Sequence, residues 1–90
     1  MMYPFLTLDD ETEIVHSNML DENKVKVYVE RPDEKDGFHH LTMYLPTYEI
    51  TESFGFTENE IHHYEDIIRS TAHLIMEFSK EGGFENASSF

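Results

Sequence analysis

The stretch KVKVYVE, residues 24–30, decides the fold. Val25, Val27 and Val29 fall at alternate positions, the period of two that sends successive side chains to opposite sides of a sheet. All three are β-branched, which suits a pleated, half-buried backbone. A second strand follows at GFHHLTMYL, residues 37–45: Leu41, Met43 and Leu45 share one face with His39, and Phe38, His40, Thr42 and Tyr44 take the other. RPDEKDG (31–37) joins the two as a longer polar connection, so the strands pair antiparallel. Upstream, Asp21, Glu22 and Asn23 make a turn, with Asn23 suited to a left-handed conformation. Before that turn, Tyr3–Leu8 and Glu13–Leu20 form a first hairpin, interrupted by Asp9, Asp10 and Glu11.

Downstream, Pro46 ends the strand and residues 46–56 read as a connector without a clear period. Thr57-Glu58-Asn59-Glu60 then matches the capping box, in which the Thr hydroxyl and the Glu carboxylate satisfy backbone donors at a helix start. Ile61, Tyr64, Ile68, Ile75 and Phe78, with Ile67, Thr71 and Leu74 alongside, recur at helical spacing until Gly82 and Gly83. The expected architecture is one α+β domain over residues 1–90. An antiparallel meander of three or four strands (about 3–45) precedes one long C-terminal helix (about 58–81) and a frayed tail (84–90). The helix covers the face formed by Val25, Val27, Val29, Leu41, Met43 and Leu45.

Charge narrows the function classes. Six basic residues against 19 acidic give −13. Such a surface repels phosphate backbones and anionic membranes, which are bound through lysine and arginine, so direct nucleic-acid binding is not expected. A basic partner protein is attracted instead. Cysteine is absent, which removes disulfides and thiolate chemistry and fits a reducing compartment. No apolar run approaches the roughly 20 residues of a membrane-spanning helix, and the N-terminus has no basic region ahead of a long apolar run. A cytoplasmic protein is the expectation.

Two histidine doublets invite a metal reading, and their geometry argues against it. His39 and His40 diverge on a strand; His62 and His63 sit about 100° apart on a helix. His62, Asp66 and His73 are better spaced, yet Arg69 lies among them, so no metal or cofactor is expected. Ser70 and His73 lack a third group to orient the base. The carboxylates are too numerous to single out a pair, and the four glycines form no phosphate loop. An enzyme is not the expected reading.

The sheet face away from the helix carries more information. It is assigned Ile14, His16, Asn18, Tyr28, Phe38, His40, Thr42 and Tyr44, a set too aromatic for a surface that only meets water. His16, Tyr28, Phe38, His40 and Tyr44 are the candidate partner-binding residues, serving either a basic protein or an isologous homodimer through Tyr28, His40 and Tyr44. The competing readings are a small enzyme or ligand-binding protein using His16, His40 and Tyr44, and a DNA mimic. If exposed histidines dominate, stability is higher near pH 6 than near pH 8 at low salt. A buried neutral histidine, for which His39 is the candidate, acts in the opposite sense.

YPFLTLDDETEIVHS (3–17) and STAHLIMEFSKEGGFENAS (70–88) resemble segments of short, acidic, uncharacterised bacterial proteins found among accessory or mobile-element genes. The resemblance implies a bacterial cytoplasmic origin and brings no activity or site residue. The order of hairpins then helix is similar to antitoxin-like folds, whose motifs are not legible in this chain.

Overall fold

The structure, a computed structural model, describes residues 2–80. Five strands and one helix follow in order: β1 (Met2–Thr7), β2 (Glu13–Ser17), β3 (Val25–Asp33), β4 (Gly37–Leu45), β5 (Glu49–Phe54) and α1 (Glu58–Lys80). Every strand pairs antiparallel with its sequence neighbours, giving a meander of order β1-β2-β3-β4-β5. The α+β class and the C-terminal helix agree with the sequence reading. The strand count does not: the connector 46–56 contains β5, the edge strand. Its residues are exposed except half-buried Ile50, and its register slips between Thr42 and Met43, so no alternating pattern survives in the sequence.

RPDEKDG is also tighter than expected. β3 runs through Pro32 to Asp33 and pairs directly with β4 from Gly37, leaving a turn of Glu34, Lys35 and Asp36. Asp33 Oδ2 accepts the backbone N–H groups of Lys35 (3.0 Å) and Asp36 (2.9 Å), which closes that turn without a cation. At the earlier turn Asn23 takes the left-handed conformation expected of it, and Glu22 joins it.

The helix begins at the capping box. Thr57 N–H donates to Glu60 Oε1 (2.9 Å) and Glu60 N–H donates to Thr57 Oγ1 (3.2 Å). At 23 residues the helix runs about 34 Å, enough to cross the whole sheet. Its buried row is Tyr64, Ile68, Ile75 and Ser79; Leu74 is exposed and Phe78 half-buried beside Phe5 (6.1 Å). The row packs on Val25, Val27, Val29, Leu41, Met43 and Leu45, as the periodicity requires, with Ile14 added from β2. The helix end beyond Lys80 and the tail lie outside the described residues.

Polar clusters pin the helix at both ends of this apolar contact. At its start, Arg31 continues the valine face of β3. Its Nη1 bonds Glu60 Oε2 (2.6 Å) and the Tyr64 hydroxyl (3.2 Å) and lies 3.9 Å from Asp10, with the guanidinium 5.1 Å from the Phe56 ring centre. The Glu60 hydrogen bond holds Arg31 firmly protonated, its pKa raised. In turn the Thr57 N–H and the Arg31 bond lower the pKa of Glu60. At the far end Ser79 O accepts from Met19 N–H (3.2 Å) and Ser79 Oγ donates within the helix to Ile75 O (2.7 Å).

Arg31 is therefore the anchor of the helix N-terminus, with 21% of its side chain exposed. Arg31→Met should lower stability by about 2 kcal/mol, since it orphans part-buried acceptors that a charged donor satisfied. Arg69→Met, at a half-exposed site (52%), should change stability by under about 1 kcal/mol. Urea unfolding of the two variants checks the contrast, and equal effects would contradict it.

Candidate functional site

The open face of the sheet is built by the residues that alternate with the core. Cross-strand partners share a face, so the register groups them into rows. One row is Glu13, Glu30, His40 and Phe54; the next is Val15, Tyr28, Thr42 and Glu52; a third is Lys26, Tyr44 and Glu49. Phe38 sits beyond the first row opposite Pro32. α1 packs on the other side, leaving this face without cover among the described residues.

An aromatic ladder crosses three strands here. Tyr28 and His40 stack with ring centres 6.0 Å apart, and His40 stacks on Phe54 at 5.6 Å. Phe38 is 51% and Phe54 49% exposed. Carboxylates frame the ladder. The Tyr28 hydroxyl donates to Glu30 Oε1 (3.3 Å), and His40 Nδ1 lies 3.5 Å from Glu52 Oε1 without a hydrogen bond. Burial first, then the charge of Glu30 and its hydrogen bond, raise the Tyr28 pKa, so the ring stays neutral. Four carboxylates (Glu13, Glu30, Glu49, Glu52) face out against one cation, Lys26.

Tyr28, Phe38, His40 and Tyr44 thus share one face, as the alternation requires. His16 does not join them. It pairs with Val27 and Ile14 pairs with Val29, which turns both toward the helix, where each is almost completely buried. The parity of β2 is thus the reverse of that expected from the sequence, set by its pairing with β3. His16 Nδ1 instead contacts Ser17 O (2.8 Å) and Ser79 Oγ (3.0 Å) inside the core, and Nε2 has no partner. Asn18 is exposed just past the end of β2. Phe54, Glu13, Glu30 and Glu52 were missed; strand pairing alone gathers them.

His39 lies on the helix side, as its parity demands. Its Nε2 is 3.0 Å from Asp36 Oδ2 and 3.6 Å from Asp33 Oδ1, which makes Asp33, Asp36 and His39 the one grouping of metal-ligand type among the described residues. The bonding pattern fits a metal poorly. Arg31 Nη2 stands 3.4 Å from His39 Nδ1, and a donor there places the ring proton on Nε2, directed at Asp36. Phe54 and Phe56 meet the ring edge-on, and a Cβ at Gly55, whose φ is +85°, would overlap it. The group is a packed extension of the Arg31 cluster. His62, Asp66 and His73 are exposed on α1, and the Ser70 hydroxyl donates to Ile67 O (2.8 Å) in its own helix.

Comparison with family models, curated proteins and solved structures finds no match for this chain. No helix among the described residues is long and apolar enough to cross a membrane.

His39 is buried, and His16 is buried more completely. Burial lowers its pKa below the ordinary 6.5, only partly offset by the Ser17 carbonyl. The unfolded chain therefore binds this proton more readily than the folded one, so stability is full above pH 6.5 and is lost as pH falls below it. The rings and polar groups against it are Tyr3, Phe5, Ser17 and Ser79, none of them anionic near neutrality. Wild type should lose stability from pH 7.5 to 5.5, and His16→Gln should show a smaller loss. Thermal melts at high salt, where surface histidines are screened, isolate this contribution; parallel pH profiles in the two proteins would contradict it.

Proposed function

We propose that this protein is a non-enzymatic binding module that holds a basic partner protein on its open sheet face. The observation that carries the reading is the Tyr28–His40–Phe54 ladder, half-buried at Tyr28 and His40 and exposed at Phe54, framed by Glu30 and Glu52. Stacked rings supply contact area and faces attractive to cations, and surrounding carboxylates supply long-range attraction. The net charge of −13 extends that field over the whole chain. The same four outward carboxylates oppose a two-fold contact between copies, which would bring eight of them together, so a basic partner is preferred to a homodimer.

Chemistry for an enzyme on this face is sparse. His40 is the one histidine among the described residues of this face, and it is wedged between two rings. The Ser79–His16 pair is sealed in the core, where no substrate reaches it.

Purification of the chain from its native host tests the proposal. Expected is one basic protein in stoichiometric amount with the wild type, lost from Tyr28→Ser/Phe54→Ser and kept by Glu77→Gln on the exposed side of the helix. A bound metabolite or metal in place of a protein would favour the enzymatic alternative. Retention of the partner by the double variant would remove the open face from the interaction.

A further inference from the structure

Where the β1–β2 turn stands beside the open face, the structure forms a cavity of about 530 Å³. Leu8, Pro32 and Phe38 give it apolar walls, and Glu11, Glu13 and Glu30 give it carboxylates. Thr7 completes the lining. Glu13 and Glu30 are direct cross-strand partners, a like-charge pairing that works against the sheet. No lysine, arginine or histidine among the described residues forms an ion pair with Glu11, Glu13 or Glu30. The nearest compensation is the Tyr28 hydroxyl on Glu30.

We propose that this cavity receives an arginine side chain of the basic partner; the inference rests on the reading of the open face given above. Charge complementarity selects a cation, since three carboxylates line a space that no lysine, arginine or histidine of the described residues lines. The apolar walls select a cation with a long aliphatic stem and a weakly hydrated head. Arginine meets both demands: its methylenes lie along Leu8 and Pro32, its flat guanidinium stacks on the exposed Phe38 ring, and its fork of donors spans Glu13 and Glu30. Lysine offers a compact, strongly hydrated head that neither stacks as well nor bridges two carboxylates.

The like-charge pair also supplies a signature that a structural role would lack. Glu13→Gln removes repulsion, so it should raise the unfolding midpoint while weakening the partner's grip.

The test uses the full chain and an end-blocked hexapeptide alternating glycine and arginine, followed by amide chemical shifts at low salt. Expected are shifts concentrated at Glu13, Glu30 and Phe38, and a loss of affinity of about fivefold or more in Phe38→Ala and in Glu13→Gln. Glu77→Gln, which removes the same charge from the helix surface, should cost less than about twofold. The lysine version of the peptide should bind more weakly. Shifts confined to Tyr28, His40 and Phe54 would overturn the cavity assignment while leaving the open face as the site for a basic partner. Equal losses for every carboxylate removed, or equal binding of the lysine peptide, would overturn it too. Absence of binding at any position would remove both readings.

Discussion

Arg31 is the constraint on which the arrangement of layers depends. Apolar burial holds α1 to the sheet, but that attraction has no direction and tolerates sliding along a smooth valine and leucine face. The guanidinium supplies direction. It ties β3 to the β1–β2 turn through Asp10, to α1 through Glu60 and Tyr64, to β4 through His39 and to the β5–α1 connection through Phe56. Tyr64 carries the link further, its hydroxyl 3.2 Å from Thr12 Oγ1, while Thr12 donates to Asp10. A part-buried cation is costly to desolvate, and here Nη1 meets Glu60 and Tyr64 while Nη2 meets His39, so the cluster favours one helix position over its neighbours.

The six basic residues are distributed to the same end. Arg31 is enclosed in this cluster, and Arg69 lies over the Tyr48 ring at 4.0 Å, fixing the β4–β5 turn to the helix. Lys24 pairs with Glu22 in the β2–β3 turn. Lys35 lies in the β3–β4 turn and Lys80 closes the described part of α1. Only Lys26 remains for the open face. The negative character of that face follows from where the cations are placed as much as from how many carboxylates there are.

Much of this was legible in residues 24–45 and 57–78. Alternating valines, the Leu41, Met43, Leu45 triplet and the capping box each report a local period or cap that tertiary contacts reinforce, and each element formed where it was read. β5 was not legible because an edge strand buries only one residue and a bulge shifts its phase. His16 was misplaced for a related reason. Five residues of β2 are too few to fix their own parity, and what fixes it is pairing with Val27 and Val29 together with a contact to the Ser79 hydroxyl 63 positions away. The Glu13–Glu30 pairing was invisible for the same cause: register across a turn belongs to the folded sheet.

The two histidine doublets show how far position outweighs identity. His39 and His40 are adjacent in sequence, yet one is enclosed between aspartates, Arg31 and two phenylalanines on the helix side, and the other is a rung of the exposed ladder. His62 and His63 are both exposed on α1, His62 beside Glu65 (3.6 Å) and His63 against the ring of Tyr64 (5.5 Å). The sheet therefore divides its polar chemistry by parity. Odd positions of β3 and β4 end in a network whose groups satisfy one another and hold the layers together. Even positions present stacked rings and Glu30, which no cation among the described residues pairs. A surface that opposes like charges across neighbouring strands and keeps large rings in water is locally at odds with stability, and such conflicts concentrate where a protein meets something else. In this chain the conflict lies on one side of one sheet, which is why the proposed partner site is the open face with the cavity at its edge, and not the better-connected histidine and aspartate group behind it.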